Sequence, residues 1–210
     1  MQTFSQFQTL VAGEREGRDN FKILVSSVLP RPVAFVSTIS AAGVPNLAPF
    51  SFFNAVGSSP PAVIFSPCTM RDGRDKDTLI NIREVGEFVV HVVPDAIKEG
   101  MNETAAAVAP EVNEFDVAGF TPIKSRYVKP PRVAESPVQM ECKLVQVVPV
   151  GEGPLSANIC IGEVLCFHIA EGYLLENGVV DSAKLDLVGR LDGSGYATTR
   201  DRFEMPAPKR

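Results

Sequence analysis

Cys68-Thr69-Met70-Arg71-Asp72-Gly73-Arg74-Asp75-Lys76-Asp77-Thr78 sets three cations, Arg71, Arg74 and Lys76, within six residues, just ahead of an apolar stripe. Asp77-Thr78 reads as a cap, Leu79, Ile82 and Val85 recur at helical spacing and Gly86 closes the run, so the pattern predicts a helix over 78–85. A helix N-terminus presents unpaired N–H groups and about half a positive charge, and anions collect there. With a nearby cation and the Thr78 hydroxyl in the first turn, this segment has the donors to hold a phosphate dianion. The same residues also fit a solvated loop in which Asp72, Asp75 and Asp77 neutralise the cations and Asp77 caps the helix. Spacing alone leaves both readings open.

Arg31–Pro61 is the second informative stretch. Val33–Ile39 is apolar and β-branched apart from Ser37 and Thr38, a strand buried over much of its surface. Ala41-Ala42-Gly43 turns the chain, and Asn46, Pro49, Ser51 and Asn54 then stand beside Phe50, Phe52 and Phe53. Small polar groups, free amides and aromatic edges side by side suit a flat ligand with a polar rim, such as a flavin.

Other residue types offer little chemistry. The chain lacks GxxxxGK[ST], lacks GxGxxG after a strand and lacks a GxSxG elbow. Glu135 with Glu141, and Asp181 with Asp186, read as surface charge. His168 reads as a satisfied or rim histidine, and with two histidines in all and no CxxC or HExxH, no metal site is expected. Cys68, Cys142, Cys160 and Cys166 read as buried free thiols in a reducing cytoplasm. No side chain is singled out as catalytic.

The elements that must position these residues are mostly strands. Candidates are Val33–Ser40, Asn46–Phe53, Ala62–Ser66, Phe88–Val93, Val138–Val148 and Ile159–Ile169. In the fifth, Val138, Met140, Cys142 and Leu144 alternate with polar residues, which predicts a strand wet on one side. Besides the helix after Asp77, helices are expected over Lys98–Val108 and Glu111–Ala118, and Lys129–Pro137 as a loop. Strands outside and helices gathered between 77 and 119 predict a mainly β barrel with a helical insertion. The 210 residues fit one domain, 1–210, with 1–20 as a leader that packs loosely or reaches a partner chain. A net charge of −5 with scattered cations disfavours nucleic acid and anionic membrane. No apolar run approaches the ~20 residues of a membrane span, and the N-terminus has no signal-peptide pattern.

Taken together, RPVAFVSTIS, NLAPFSFFNAVGSSPPAVIFS, KDTLINIREVGEFVV, ESPVQMECKL, GEVLCFHI and GRLDGSGY resemble, in order over residues 21–200, the flavin reductase-like, FMN-binding split-barrel family. The resemblance implies a six-stranded split β-barrel, a homodimer, and one FMN per subunit near the subunit interface. It places Ser37 and Thr38 at the ribityl or phosphate end. Ala48, Pro49, Phe50, Ser51 and Phe53 would line the isoalloxazine, Lys76, Asp77 and Thr78 would hold the phosphate, and Arg71 would help. Arg190 and Tyr196 belong to a matching motif without an assigned contact. Gly57 stands where the family often has Ser, and His91 where Asn is common, which would alter packing beneath the helix.

The activity implied is an NAD(P)H-dependent flavin reductase, with NADH or NADPH as hydride donor and a flavin-dependent monooxygenase or other acceptor as partner. The alternative is a tight FMN-binding electron carrier that does not use NAD(P)H directly. A third reading is a barrel-shaped binding module without flavin.

Overall fold

The computed structural model describes residues 2–208. A 3-10 turn at Ala12–Glu14 precedes α1 (Gly17–Ser27), followed by β1 (Arg31–Pro32), β2 (Ala34–Ile39), β3 (Pro45–Phe50), β4 (Phe53–Ser58) and β5 (Pro61–Phe65). Next come α2 (Asp77–Val85), β6 (Glu87–His91), α3 (Lys98–Glu103), α4 (Glu114–Val117), β7 (Pro122–Ile123) and β8 (Arg132–Val133). Two long strands, β9 (Val138–Val150) and β10 (Ala157–Ile169), lead to α5 (Ser182–Leu185), β11 (Val188–Arg190) and β12 (Tyr196–Thr198).

Seven strands form one antiparallel sheet in the order β3-β2-β6-β9-β10-β5-β4. Its first and last members, β3 and β4, are consecutive in the chain and joined by Ser51-Phe52, so the sheet must curl until its edges meet. Register shifts in β10, at Ile161/Gly162 and Val164/Cys166, and in β4, at Ala55/Gly57, supply the bends. The result is a mainly β split barrel. The sequence predicts six strands, with Asn46–Phe53 as one. That run breaks at the Ser51 corner and continues as β4, so the sheet has seven.

Strand alternation builds two apolar layers. Ala34 and Val36 of β2 point into the barrel with Phe50, Phe65, Phe88 and Cys160, and Leu79 and Ile82 of α2 close its end. Gly162 of β10 makes room for the Phe88 ring: a Cβ there would lie 2.2 Å from Phe88 Cζ. Phe35 and Leu47 face outward but are buried all the same, because Met101 of α3, Phe115 of α4 and Phe120 cover them. The covering segment explains why Ala34, Phe35 and Val36 are apolar on both faces of β2.

The helices follow the expected pattern with corrections. α2 matches, and Gly86 ends it in the left-handed region at φ +74°. The helix expected over Lys98–Val108 stops at Glu103; beyond it Ala105, Ala106 and Ala107 are exposed, so no packing extends it. The helix expected over Glu111–Ala118 shortens to α4, whose N-cap Asn113 accepts from Phe115 N–H. α1 is an additional helix. Phe21, Leu24, Val25 and Val28 recur at helical spacing, a signal the sequence reading passed over, yet of these Val25 alone is buried and the others stay exposed.

The expected wet face of β9 is covered at Gln139 and Glu141, while Lys143 stays exposed. Residues 124–133 fold over the first two: Gln139 Nε2 donates to the carbonyls of Val133 and Ser136, and Glu141 accepts from Arg126 and Tyr127 N–H. Glu141 is therefore fully buried rather than a surface charge. None of the helices among the described residues is long and apolar enough to cross a membrane.

Candidate functional site

α2 is preceded by Lys76, an extended N-cap residue whose side chain makes no capping bond. The alternative in which Asp77 caps the helix is not what forms. Two of the loop's carboxylates are engaged elsewhere: Asp72 pairs with Arg74 at 2.7 Å and Asp75 with Arg83 of α2. Arg71 and Lys76 are both exposed, and neither forms an ion pair among the described residues. Among this loop's cations, then, Lys76 combines an unspent charge with a place at the uncapped helix end.

Beside that end lies a buried polar cluster. Asn46 Nδ2 on β3 donates to Thr78 Oγ1 at 2.9 Å and to Thr38 Oγ1 at 3.2 Å, and Asn81 Nδ2 on α2 donates to the same Thr38 oxygen at 3.0 Å. With both lone pairs of Thr38 engaged, its position is fixed from two elements. Thr78 accepts one bond, which leaves its own O–H free to donate at the mouth of the helix.

The expected pair Ser37 and Thr38 separates. Alternation puts Ser37 on the outer face, where its hydroxyl donates to the Pro131 carbonyl. The sequence singled out Asn46 among the small polar groups beside Phe50, Phe52 and Phe53, and Asn81 was passed over. The signal for both was their amides within otherwise apolar runs.

β3 runs from this cluster to the Ser51 corner, five residues or about 16 Å. Its one sheet neighbour is β2, so its other backbone edge is free of ladder bonds. Buried Glu114 takes part of that edge by accepting from Leu47 N–H at 3.0 Å. Burial raises the Glu114 carboxyl, the Leu47 bond draws it back, and Asp77 adds to the rise.

Phe50 turns into the barrel core and Ala48 packs against it, so these two offer backbone rather than side chains. Pro49, Ser51 and Phe53 are half-buried around the corner. Ser66 follows β5 there, with its N–H on the Phe52 carbonyl and its Oγ buried without a partner. Arg31 Nε lies 3.4 Å from Ser51 Oγ. Neither Ser66 nor Arg31 was legible as a site residue, because each sits inside an ordinary strand motif. Phe53 also helps line an apolar cavity of about 200 Å³, together with Pro30, Pro32, Val33 and Val188.

The remaining titratable groups lie away from this strip. His91 is fully buried: its Nδ1 bonds the Phe35 carbonyl at 2.7 Å and its Nε2 accepts from Val133 N–H at 3.0 Å. It fastens β8 to β2, and burial lowers its pKa to about 4. His168 Nε2 lies 2.6 Å from Glu141 Oε1, a satisfied histidine. Burial works to raise the Glu141 carboxyl, but the Arg126, Tyr127 and His168 donors outweigh it and hold it below its usual range. All four cysteines are free; burial pushes the Cys160 thiol up to about 12 and raises that of Cys142 further. No group of His, Cys, Asp and Glu among the described residues could hold a metal ion. Arg190 stacks over the Tyr196 ring at 4.6 Å, joining β11 to β12.

Comparison with known proteins places this architecture. Residues 25–183 match the model of the flavin reductase like domain. The chain belongs to the flavin reductase-like family. An uncharacterized Bacillus subtilis protein, YwrF, is 40% identical over 200 residues, covering 94% of this chain and 97% of its own. The crystal structure of nitrilotriacetate monooxygenase component B from Bacillus cereus superposes with a TM-score of 0.91 at 38% identity, over 96% of this chain and all of that one. The 2-nitrobenzoate 2-nitroreductase of Pseudomonas fluorescens superposes at 0.86 with 28% identity, over 96% of each chain. Flavin reductase-like split barrels thus share this fold along nearly the whole chain.

Proposed function

We propose that this protein binds FMN along β3 and passes hydride to it from NADH or NADPH. The observation that carries the reading is the uncapped start of α2, where Lys76 and the Thr78 hydroxyl converge in a chain of this family. The donor set suits FMN. A phosphate dianion would take the helix N–H groups, Lys76 and Thr78, while the ribityl chain would lie near Thr38. The ring would lie at Pro49, Ser51 and Phe53, with the backbone of Ala48 and Phe50 behind it. The unpartnered Ser66 hydroxyl, between the corner and the phosphate loop, adds one more group able to bond a polar ligand.

When bound, the flavin supplies the hydride-accepting chemistry. The chain's own contribution is to hold and orient. Lys76 and α2 fix one end, and the residues around Ser51 direct donors at the polar rim, where charge builds up on reduction. Asp77 closes the first turn next to Thr78, and Arg71 is placed to add long-range attraction for the phosphate. A homodimer would bury the exposed Phe4, Phe7, Phe21 and Leu24 of the N-terminal arm and α1. Similarity to a monooxygenase B component supports a flavin-dependent monooxygenase as the acceptor.

The test is an absorbance spectrum of the purified protein with one equivalent of FMN, followed by stopped-flow mixing with NADH and NADPH. Bleaching of bound flavin by either donor is expected. Flavin that stays oxidised with both donors but bleaches with dithionite would refute the nicotinamide step and leave an electron carrier. Protein that ignores FMN would refute the whole reading.

A further inference from the structure

Arg31 is 5% exposed, and all four of its hydrogen bonds end on uncharged oxygens. Nη1 donates to the carbonyls of Val25 at 2.7 Å and Val28 at 2.8 Å, Nη2 to Leu191 at 2.8 Å, and Nε to Ser51 Oγ at 3.4 Å. The first two carbonyls belong to the C-terminal end of α1, where the helix dipole is negative, so part of this arginine's work is to close that helix. Carbonyl dipoles do not cancel a whole charge, however. Arg190 stands directly opposite across the β1–β11 ladder, a like charge in the place where a carboxylate would relieve it. Burial first and Arg190 second depress the Arg31 ionisation, with Asp192 offsetting part of this. The guanidinium stays charged regardless. A buried cation with charge to spare is costly until an anion approaches it. Its Nε–H is directed at Ser51, the corner where the ring's polar rim is proposed to lie.

We propose that Arg31 is a positioning residue of the flavin site. Its Nε–H occupies a lone pair of Ser51 Oγ, which turns the hydroxyl proton outward as a donor, and its charge stabilises the negative charge that the rim gains on reduction. This deepens the FMN reading and rests on it. The structural role in closing α1 is separate, and the two predict different measurements.

The experiment compares wild type, Ser51→Ala, Arg31→Lys and the double variant by FMN fluorescence quenching, midpoint potential of the bound flavin, and thermal melting. Each single variant should weaken FMN binding roughly tenfold and lower the potential through the lost or misdirected Ser51 hydroxyl, since Arg31→Lys keeps the charge. The double variant should be no weaker than the weaker single, because both act on one hydroxyl. In wild type, the Arg31 Nε–H resonance should move as FMN is added, a readout that needs no substitution. Additive losses overturn the proposal, as does an unmoved resonance. So does a Ser51→Ala protein with normal affinity and potential, even if Arg31→Lys melts early. Wild type that binds no FMN would instead remove the flavin reading itself.

Discussion

Asn46→Ala tests the polar cluster from both sides at once. The side chain donates two buried bonds, to Thr78 and to Thr38. Thr38 keeps the Asn81 bond, while Thr78, fully buried at the start of α2, loses its partner. Two lost bonds at about 1 kcal/mol each, plus part of the cost of an unpaired buried hydroxyl, give roughly 2–3 kcal/mol of destabilisation. At about 2–4 °C per kcal/mol for a chain of this size, the melting temperature of the FMN-free protein should fall by roughly 5–10 °C. With Thr78 no longer oriented, FMN affinity should drop about tenfold beyond any change in folding. Urea titration without FMN gives the first number, and fluorescence quenching well below the melting point gives the second. Unchanged stability would mean that the cluster carries no load. A destabilised variant with full affinity would mean that the phosphate is held away from Thr78.

Three further substitutions probe separate parts of the argument. Lys76→Ala should weaken FMN roughly tenfold, as expected for losing a charge-assisted bond, and leave riboflavin, which has no phosphate, unaffected; equal losses for both ligands would place the phosphate elsewhere. His91 has a folded pKa of about 4 against an ordinary 6.5, so its contribution is complete above pH 6.5 and is lost as pH falls toward 4. Between pH 7 and pH 5 this should cost about 2 kcal/mol in urea titrations, and His91→Asn should abolish that component; Glu114, raised by burial, runs the opposite way and is common to both proteins. Gly162→Ala would set a methyl 2.2 Å from the Phe88 ring inside the barrel, and about 3 kcal/mol of lost stability is expected in calorimetry. A neutral result would show that β10 or Phe88 can shift at that bulge.

The parts legible in the sequence were those governed by local pattern. Leu79, Ile82, Val85 and Gly86 define α2 because one face and one stop signal suffice. The alternation in Val138–Leu144 defines β9. What the pattern could not reveal is what lies on the far side of each strand. Gln139 and Glu141 read as solvent-facing until residues 124–133 fold over them, and Ser37 reads as a companion of Thr38 until the pleat sends it to Pro131. The Ser51 corner escaped for a related reason. Asn46–Phe53 carries no glycine to mark the break, since the bend is imposed by closure of the sheet. Arg31 belongs to the same class, because its four acceptors come from α1, the corner and the loop after β11, elements up to 160 residues away.

A last consequence concerns pH. Hydride transfer from a nicotinamide to a flavin demands alignment and exclusion of water, not a proton donor in the barrel. The strip along β3 agrees: Thr38, Asn46, Asn81, Ser51 and Arg31 hold position, and none of them changes ionisation near neutrality. The groups suited to acid–base work are committed elsewhere. His91 is locked in the outer layer between Phe35 and Val133, and His168 is tied to Glu141 on the covered face of β9. The rate of flavin reduction at saturating NADH or NADPH should therefore be level from pH 6 to pH 8, with any slope confined to FMN affinity through the phosphate's own ionisation. A bell-shaped reduction rate that disappears in His168→Gln would sink this reasoning, because it would place a working acid or base where the geometry shows a structural hydrogen bond to Glu141.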